Sequence, residues 1–484
     1  MRVFLGNGPW AKPGYYGVRA GSRWPHFEDQ HLEYMPFPFF LAYAAAVLER
    51  EDVPVHLVDA LAEKIDLPTF LDRLGDFAPD LVVLEVSTIS INTDLATARA
   101  IKERFGHVKL AFAGLHSYMY EPAWLAEHED IDFVLIGEYE PTLLELVKHL
   151  AEGAPLAGCR GLLWRDGDDV RDEGRRPLLE NLDSLPWPAR HFLPMAEYHD
   201  EPGSIPRPSA QMWASRGCPF GCVFCAWPQI MYNSSKYRVR GVRDTVDEME
   251  WLVGECGFAS VYFDDDTFNV KKDRTIAFAR EIKARNLGVP WAIMARADLM
   301  DRETLEELKD AGLFALKYGV ESSDAGLLDQ MNKNLDIDKV HKVIAITREL
   351  DIKMHLTFLF GMPAETHATA RATVDMALAS GAESVQFTIA TPFPGSRYYH
   401  DLAAKDRIIT HDFERYDGFR SAVIKTDHLE PHELEQIVVE ANRRWQEHRW
   451  GTLNPDTRNP VQKATDLARE PRRILDSIRR FLRR

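Results

Sequence analysis

Three of the five cysteines in this 484-residue chain lie in one short segment, Cys218-Pro-Phe-Gly-Cys222-Val-Phe-Cys225. The spacing is CxxxCxxC, and thiolates are ligands that select zinc or iron–sulfur clusters. A structural zinc site needs four ligands, usually in CxxC pairs, but the next cysteine, Cys256, lies in the connection entering a later predicted strand. Three ligands in one loop therefore suit a [4Fe–4S] cluster with one iron left open to bind and cleave another molecule.

Alternating strand and helix patterns downstream of residue 206 predict the elements that position this loop. The predicted strands are 211–215, 260–263, 291–296, 315–320, 355–360 and 384–390. Helical patterns lie between them at 245–254, 274–285, 303–311, 337–350 and 368–378. Six such repeats predict a parallel barrel or partial barrel over 206–400, whose active residues sit at the carboxyl ends of its strands.

The carboxyl ends of these predicted strands carry a series of polar and small residues. In chain order they are the cysteine loop, Asp264-Asp265-Asp266, Arg296 with Asp298, Glu321, Gly361 and Thr391. Any one of them also fits a helix cap or a turn. Because all of them stand at the carboxyl ends of strands, they are expected to surround one functional site. Three adjacent carboxylates on a strand, however, cannot all point the same way.

Residues 1–150 show a second alternation of strands and helices. The predicted strands are 2–6, 53–59, 81–87, 109–113 and 133–136, and the helices are 40–50, 67–74, 94–105, 121–127 and 141–150. This pattern predicts an α/β domain with a doubly wound, Rossmann-like or flavodoxin-like sheet. Ligands of such sheets bind beyond the carboxyl ends of the strands. Those ends hold Asn7, Gly8, Ser87, Thr88, Gly114, His116, Ser117, Gly137 and Glu138.

No GxGxxG follows the first strand, which argues against a dinucleotide ligand. The segment 15–26 before the first helix is long and rich in Tyr, Trp and Arg, so we predict an ordered loop over a ligand face. Residues 151–205 are predicted to form a hairpin at 162–171 and a proline-punctuated linker at 181–194. Cys159, alone in this region, is predicted to be a structural thiol.

The C-terminal region, 401–484, is predicted to be helical, with one helix near 426–450. Seven arginines in 469–484 accompany apolar residues at helical spacing. This tail is expected either to pack on the body as an amphipathic helix or to contact an anionic membrane surface or an acidic partner.

Composition limits the classes of partner. The formal charge is 58 − 75 = −17, which disfavours nucleic-acid binding because phosphate neutralisation needs clustered Lys and Arg. The apolar run 37–48 is too short to span a bilayer and predicts a buried helix. Met1 opens a predicted strand rather than a secretory signal. The odd, clustered cysteines favour a reducing cytoplasm.

The cysteine loop, with Phe224 just before the last cysteine, resembles the radical S-adenosylmethionine (SAM) superfamily. The resemblance implies that Cys218, Cys222 and Cys225 hold a [4Fe–4S] cluster and that SAM chelates its fourth iron. An external flavodoxin- or ferredoxin-type donor would supply the electron that cleaves SAM to methionine and a 5′-deoxyadenosyl radical, which abstracts hydrogen from the substrate. The positions implied to contact SAM are Phe224, Arg296, Glu321, Gly361 and Thr391, with Asp264 as a further candidate.

The order of sheet domain, Leu185-Pro-Trp-Pro188 linker and barrel resembles the cobalamin-binding branch of this superfamily. Further similar segments are 114–117, 137–140, 360–366 and 392–395. The resemblance implies that cobalamin binds at the N-terminal strand ends. The DxHxxG motif of cobalt-ligating histidines is absent, because Tyr34 stands where Asp29-Gln30-His31 would need a following glycine. We therefore expect base-off cobalamin without a histidine ligand.

Most members of this branch methylate carbon or phosphorus. Segments 224–229, 237–238 and 263–268 are especially similar to enzymes that remodel the hopanoid side chain, and the anaerobic chlorophyll-ring cyclases are also related. The leading hypothesis is C-methyl transfer to a small-molecule or lipid-like substrate in secondary-metabolite or lipid biosynthesis. Radical rearrangement or ring formation is an alternative, as is radical SAM chemistry without cobalamin. A corrinoid or iron–sulfur sensor would need an output module, and the acidic chain shows none.

Overall fold

The computed structural model describes residues 1–12 and 34–453, and the backbone of 15–17 and 26–28; side chains are described up to residue 449. Most of the aromatic segment, the Asp29–His31 motif and the arginine-rich tail lie outside the described residues. The chain divides into a unit of Met1–Val439 and a unit that begins at Glu440. Among the described helices, none is both long and apolar enough to cross a membrane.

The N-terminal domain is built around a seven-stranded sheet. Its parallel strands are β1 (Val3–Asn7), β4 (Val55–Asp59), β5 (Leu81–Ser87), β6 (Lys109–Leu115) and β7 (Phe133–Leu135). A short antiparallel pair, β2 (Tyr15–Gly17) and β3 (His26–Glu28), lies apart from it. The connecting helices are α1 (Phe39–Arg50), α2 (Leu67–Phe77), α3 (Ile91–Arg104), α4 (Pro122–Glu127) and α5 (Glu140–Glu152).

The strand order β4-β1-β5-β6-β7 is the flavodoxin-type order, one of the two predicted. The order reverses between β1 and β5, and ligands of such sheets bind outside the carboxyl ends at this switch point. Helix α1 is buried along most of its length. Apolar side chains of α1 and of the sheet form one core with Trp213, Trp227 and Met231 from the second domain. The cores of the two domains are therefore continuous.

The predicted hairpin is present as β8 (Leu162–Asp166) and β9 (Asp169–Asp172). It does more than the sequence predicted, because β8 pairs antiparallel with β7 and extends the sheet. The linker that follows carries a sequence of short turns rather than a helix. Arg190, in one of these turns, is buried and donates to the Gln211 carbonyl at 2.8 Å, which ties the linker to the first barrel strand.

The second domain is an open half-barrel. Six parallel strands pair in chain order: β10 (Ser209–Met212), β13 (Ser260–Phe263), β14 (Trp291–Ala295), β15 (Leu313–Glu321), β16 (Lys353–Phe360) and β17 (Ser384–Ile389). The two-residue strands β11 (Ser215–Arg216) and β12 (Arg238–Val239) pair with each other and bracket the cysteine loop.

The outer helices of the half-barrel are α6 (Val242–Gly254), α7 (Lys272–Ala284), α8 (Arg302–Asp310), α9 (Ala325–Gln330), α10 (Ile337–Glu349) and α11 (His367–Ala379). Several begin at residues whose side chains cap the free amides of the first turn: Asp301 for α8, Asp324 for α9, Asp336 for α10 and Thr366 for α11. These caps fix where each connection from a strand end becomes a helix. Helices α12 (Arg397–Ala403) and α13 (Pro431–Leu453) follow the last strand.

The linker covers the amino-terminal ends of the barrel strands. Ile205 packs with Tyr262, Ala292 and Ala315 in a small buried cluster. Gly203, at a φ of 64°, lies so close that a Cβ there would be 2.7 Å from the Lys353 Cβ. The carboxylate of Asp200 lies 2.9 Å from the Lys317 ammonium inside the barrel. We call residues 200–205 the linker floor.

Candidate active site

The cysteine loop is held in shape by its own amides and by Gln229. The Gln229 side-chain nitrogen donates to the carbonyls of Cys222 (3.1 Å), Val223 (3.0 Å) and Cys225 (2.7 Å). Its oxygen accepts from the Arg397 amide at 2.7 Å. Gln229 lies in a single π-helical turn, Trp227–Met231, that follows the last cysteine. One side chain thus fixes the backbone between two of the three thiols.

The start of the loop needs a glycine. Gly217 has a φ of 85°, and a Cβ there would lie 2.2 Å from the Lys236 carbonyl oxygen. Its amide donates to Asp266 at 3.0 Å. The Cys218 sulfur lies 3.4 Å from the Thr267 hydroxyl. The strand end after β13 therefore positions the first cysteine.

Asp264, Asp265 and Asp266 alternate in direction, as strand geometry requires. Asp264 and Asp266 line the cavity at the barrel mouth. Asp265 is buried, accepts hydrogen bonds from the Ser215 hydroxyl and the Ala214 amide, and braces β11. Burial raises the pKa of Asp265 to about 6, against the lowering effect of the Ser215 hydrogen bond. The middle carboxylate is thus structural, while the outer two face the cavity.

A buried charged group lies beside the loop. The Lys333 ammonium is 2.9 Å from the Glu321 carboxylate. Burial lowers the pKa of Lys333, but the charges of Glu321 and Cys222 and the hydrogen bond to Glu321 together outweigh it, so the pKa is raised. Glu321 adopts a φ of 71°, a left-handed conformation that non-glycine residues avoid, next to an irregularity in the pairing of β15 with β16.

Arg296 lies on the same side of the mouth. Its guanidinium bonds to Asp298 at 2.8 Å and donates to the Lys333 carbonyl at 3.0 Å. The guanidinium carbon is 3.8 Å from the centre of the Phe220 ring, inside the cysteine loop. Cation and ring therefore connect the loop to the third barrel strand.

One large cavity joins the two domains. Its empty space is about 1380 Å³, counted out to the open solvent at its mouth. From the N-terminal domain it is lined by the end of β5 and by Leu115. From the barrel it is lined by the cysteine loop and by strand ends. The predicted residues that line it are Ser87, Thr88, Phe224, Cys225, Asp264, Arg296, Glu321 and Thr391.

Other predicted residues lie outside this cavity lining. Gly361 packs under Tyr398, whose hydroxyl donates to its carbonyl at 2.7 Å. Gly114 holds a φ of 113° against the Val86 backbone. Ser117 packs against Gly395. Asn7 and Gly8 are buried at the end of β1.

His116 is buried, and its Nδ1 lies 3.3 Å from the Thr88 hydroxyl, which faces the cavity. Burial lowers the pKa of His116 to about 3. The ring therefore stays neutral and supports Thr88. Gly137 lines a separate surface pocket with Met231 and Arg175. The cobalamin contacts predicted for these residues stay predictions.

Glu138 is engaged in a buried ion cluster between the domains. Its carboxylate bonds to both nitrogens of Arg238, at 2.6 and 2.8 Å, and to Arg216 at 3.3 Å. Glu140 completes the cluster through Arg216, which also lies over the rings of Phe40, Tyr43 and Trp213. All four charged side chains are at most 6% exposed. Glu138, which was predicted to contact cobalamin, instead uses both of its carboxylate oxygens to bind two arginines.

The chemistry of the three thiols fits an iron–sulfur cluster. Burial raises the pKa of Cys218 and of Cys222, and the charges of Lys333 and Arg296 oppose that rise at Cys222. Thiols of this kind give up their protons when a metal binds them. In the described part of the chain, no three His, Cys, Asp or Glu side chains converge on one point as ligands of a single ion. A four-iron cluster takes one thiolate per iron, so three separated thiols in a fixed loop fit it.

Several residues that line the cavity were not predicted from the sequence. Lys333 and Lys317 are lysines without any local signal, and Gln386 is one of three polar residues that alternate with apolar ones along β17. Gln229 lies outside the cavity lining, and no role was predicted for it, although it stands only four residues after Cys225. Lys317 and Gln386 come together only through the pairing of β15, β16 and β17, and Lys333 reaches Glu321 from the connection between α9 and α10.

Comparison with known families identifies both halves of this arrangement. The model of the Radical SAM superfamily matches residues 214–377, and the model of the B12 binding domain matches residues 31–147. This chain is a cobalamin-binding radical SAM enzyme. The predicted α/β fold, with its flavodoxin-like domain and partial barrel, is confirmed, and so are the expected cofactors: a [4Fe–4S] cluster, SAM and cobalamin.

Curated relatives of this radical SAM enzyme include methyltransferases and a cyclase. An uncharacterized methyltransferase of Pyrococcus horikoshii is 28% identical over 84% of this chain and 86% of its own length. The anaerobic magnesium-protoporphyrin IX monomethyl ester cyclase of Cereibacter sphaeroides is 27% identical over 90% of this chain and 69% of its own. The hopanoid C-3 methylase of Methylococcus capsulatus is 24% identical over 80% and 72%.

Among solved structures, the radical SAM methyltransferase TsrM from Kitasatospora setae, with cobalamin and a [4Fe–4S] cluster bound, is similar in fold. The TM-score is 0.65 at 20% identity, covering 84% of this chain and 75% of that chain. The likeness supports the same arrangement of domains for this radical SAM enzyme.

Proposed function

We propose that this enzyme transfers a methyl group to a carbon atom of a small, largely apolar organic molecule, in secondary-metabolite or lipid biosynthesis. The observation that carries the proposal is the single cavity lined by both the β5 end of the cobalamin domain and the cysteine loop. When bound, the cluster supplies an electron that cleaves SAM, and cobalamin supplies a methyl group that SAM restores. An external flavodoxin- or ferredoxin-type protein is the expected electron donor.

The chain's own residues hold and shield these reactants. Arg296 and the Lys333–Glu321 pair carry charges suited to the amino, carboxylate and ribose groups of SAM. Phe224 and Thr391 line the cavity and would flank its adenine. Trp227, Met294, Leu359 and Phe393 give the rest of the wall an apolar surface. Such a surface excludes water and so limits side reactions of reactive intermediates.

The experiment uses SAM with a deuterated methyl group and anaerobically reconstituted enzyme. The enzyme is incubated with a small-molecule extract of its source cells, and products are analysed by mass spectrometry. Methyl transfer predicts a labelled methyl in the product, together with both S-adenosylhomocysteine and 5′-deoxyadenosine. The same preparation must retain a cobalamin spectrum through gel filtration, and its loss would contradict the proposal.

Ring closure or rearrangement is the second candidate, favoured by the 27% identity to the cyclase over 444 residues. It predicts 5′-deoxyadenosine without S-adenosylhomocysteine and an unlabelled product. The ratio of the two SAM products therefore separates the candidates before the substrate is known.

A further inference from the structure

The cavity continues below the rim residues into the interior of the half-barrel. Strand alternation places Lys317, Gly319 and Glu321 of β15 on the inner face, and all three line the cavity. On β16 the corresponding residues are Thr357 and Leu359, and on β17 they are Gln386 and Thr388. In the sheet register Gly319, Thr357 and Gln386 form one layer. Lys317, His355 and Ser384 form the layer beneath it.

Two buried nitrogen atoms in these layers have no hydrogen-bond partner among the described residues: Nε2 of His355 and Nε2 of Gln386. The other ring nitrogen of His355 lies 2.8 Å from the Ser384 hydroxyl. Buried polar groups without partners are rare in proteins and call for an explanation. The Gln386 nitrogen belongs to a residue of the cavity lining, so its missing partner points to a ligand there.

The neutral state of His355 follows from its surroundings. Burial lowers the pKa of His355 to about 3, the Lys317 ammonium acts in the same direction, and the neighbouring Gln386 amide acts against them. A neutral imidazole whose Nδ1 accepts from Ser384 carries its proton on Nε2. The hydrogen bond between the His355 and Gln386 side chains then has the Gln386 oxygen as its acceptor. In that orientation the amide NH₂ is left for a partner in the cavity that Gln386 lines.

The charge in the lower layer is already balanced. Lys317 is paired with Asp200 of the linker floor at 2.9 Å, and both are buried. Asp264, a carboxylate of the cavity wall, accepts from the Tyr262 hydroxyl at 3.1 Å. The site therefore offers an N–H donor without a net positive charge, below a wall of apolar side chains.

We propose that Gln386, oriented by His355 and Ser384, binds the substrate by donating its amide N–H to an uncharged oxygen acceptor, a carbonyl or hydroxyl group, at the inner end of an otherwise apolar molecule. This inference rests on the proposed function, because it assigns the substrate class of the same cavity. It adds a specificity-determining residue that lies below the predicted SAM contacts.

The test uses three matched probes with cluster- and cobalamin-loaded enzyme. 2-Acetylnaphthalene carries a carbonyl, 2-isopropenylnaphthalene replaces that oxygen with CH₂, and 2-naphthoate carries a charge. Anaerobic equilibrium dialysis should give the ketone about tenfold tighter binding than the alkene, the effect of one buried hydrogen bond. Naphthoate should bind no more tightly than the ketone, because Asp200 neutralises Lys317.

Gln386→Met keeps the side-chain length without the donor and should abolish the ketone preference. Gln386→Leu, a second variant without any polar atom in its side chain, should abolish it as well. Gln330→Met, on the exposed surface of α9, should retain it. A retained cobalamin spectrum verifies folding in each case.

Equal binding of ketone and alkene to the native enzyme would overturn the proposal, as would failure of all three probes to bind. A ketone preference that survives in both Gln386 variants would also overturn it. Tighter binding of naphthoate than of the ketone would overturn the claim that the substrate's oxygen acceptor is uncharged. None of these results alters the labelled-methyl experiment. The failure of this inference is therefore distinguishable from a failure of the proposed function.

Discussion

Arg216 and Glu140 lie 2.8 Å apart, nitrogen to oxygen, although 76 positions separate them in the chain. Arg216 stands two residues before the first cysteine, and Glu140 opens α5 of the cobalamin domain. Burial raises the pKa of Glu140, and the Arg216 charge opposes that rise. The contact thus couples the position of the cysteine loop to the domain that binds the second cofactor.

Replacing Arg216 with methionine should lower the free energy of unfolding by about 3–5 kcal/mol, because it leaves the buried Glu140 carboxylate without its cation. Urea unfolding of native and variant proteins in the same cofactor state measures the change. Arg280→Met removes an exposed partner of Glu307 and serves as the control. Equal effects of the two substitutions would show that the buried cluster contributes no more than a surface pair.

Alanine at Cys218, Cys222 or Cys225 should abolish the broad visible absorbance of the cluster, bound iron and the formation of 5′-deoxyadenosine. Each thiolate holds one iron, so two ligands cannot retain the cluster in its working form. Cys256→Ala is the matched control, because Cys256 is exposed and lies outside the loop. Continued SAM cleavage by the Cys222→Ala variant would refute the cluster assignment.

Glu321→Gln should weaken SAM binding by at least about tenfold while leaving cluster absorbance unchanged. The substitution leaves the buried Lys333 ammonium without its charged partner, and truncating one member of such a pair is costly. Dialysis against labelled SAM measures the affinity. Glu303→Gln breaks an exposed pair with Lys272 and should leave SAM affinity as it is. If the Glu321→Gln variant bound SAM as tightly as the native enzyme, Glu321 would not be a residue of the SAM site.

Protonation of Glu365 should contribute to the pH dependence of the free energy of unfolding. This carboxyl is 1% exposed and accepts from the Thr369 hydroxyl at 2.6 Å. Burial raises the pKa of Glu365 from 4.5 to about 7. The folded protein therefore binds this proton more tightly than the unfolded chain, so stability falls as pH rises from about 4.5 to 7.

Glu365→Gln removes that dependence. The unfolding free energy of the variant relative to the native protein should increase by about 3 kcal/mol between pH 4.5 and pH 8. Chemical unfolding at a series of pH values measures the difference. The exposed pair with Arg302 lowers the pKa of Glu349, so Glu349→Gln should give a flat difference across this window. A flat difference for Glu365→Gln would mean that its proton is held no more tightly in the folded state.

Much of the fold was predictable because buried parallel strands give strong local signals. Continuous apolar runs between helical patterns located β5 and β13 to the residue and most other strands to within two or three. The partial barrel followed from counting repeats. The wall of the cavity was predictable in part, because carboxyl ends of parallel strands share one edge.

Long-range pairing was not predictable from local patterns. The hairpin β8–β9 was predicted from its turn, but nothing local indicated that β8 pairs with β7. Glu138 was predicted to contact cobalamin from its place at a strand end. Its arginine partner Arg238 lies 100 positions away, and a single sequence does not reveal such a partner. Gln386 was overlooked because its neighbours on β15 and β16 define its role.

The linker floor has a kinetic consequence. Among the described residues, Ile205 and Gly203 cover the amino-terminal end of the half-barrel, so we expect the cavity to fill from the opposite side. A molecule that reaches Gln386 must pass the level of Arg296 and Glu321, where SAM is expected to lie. We therefore expect compulsory-order kinetics, in which substrate enters first, SAM follows, and product leaves only after the SAM fragments have departed.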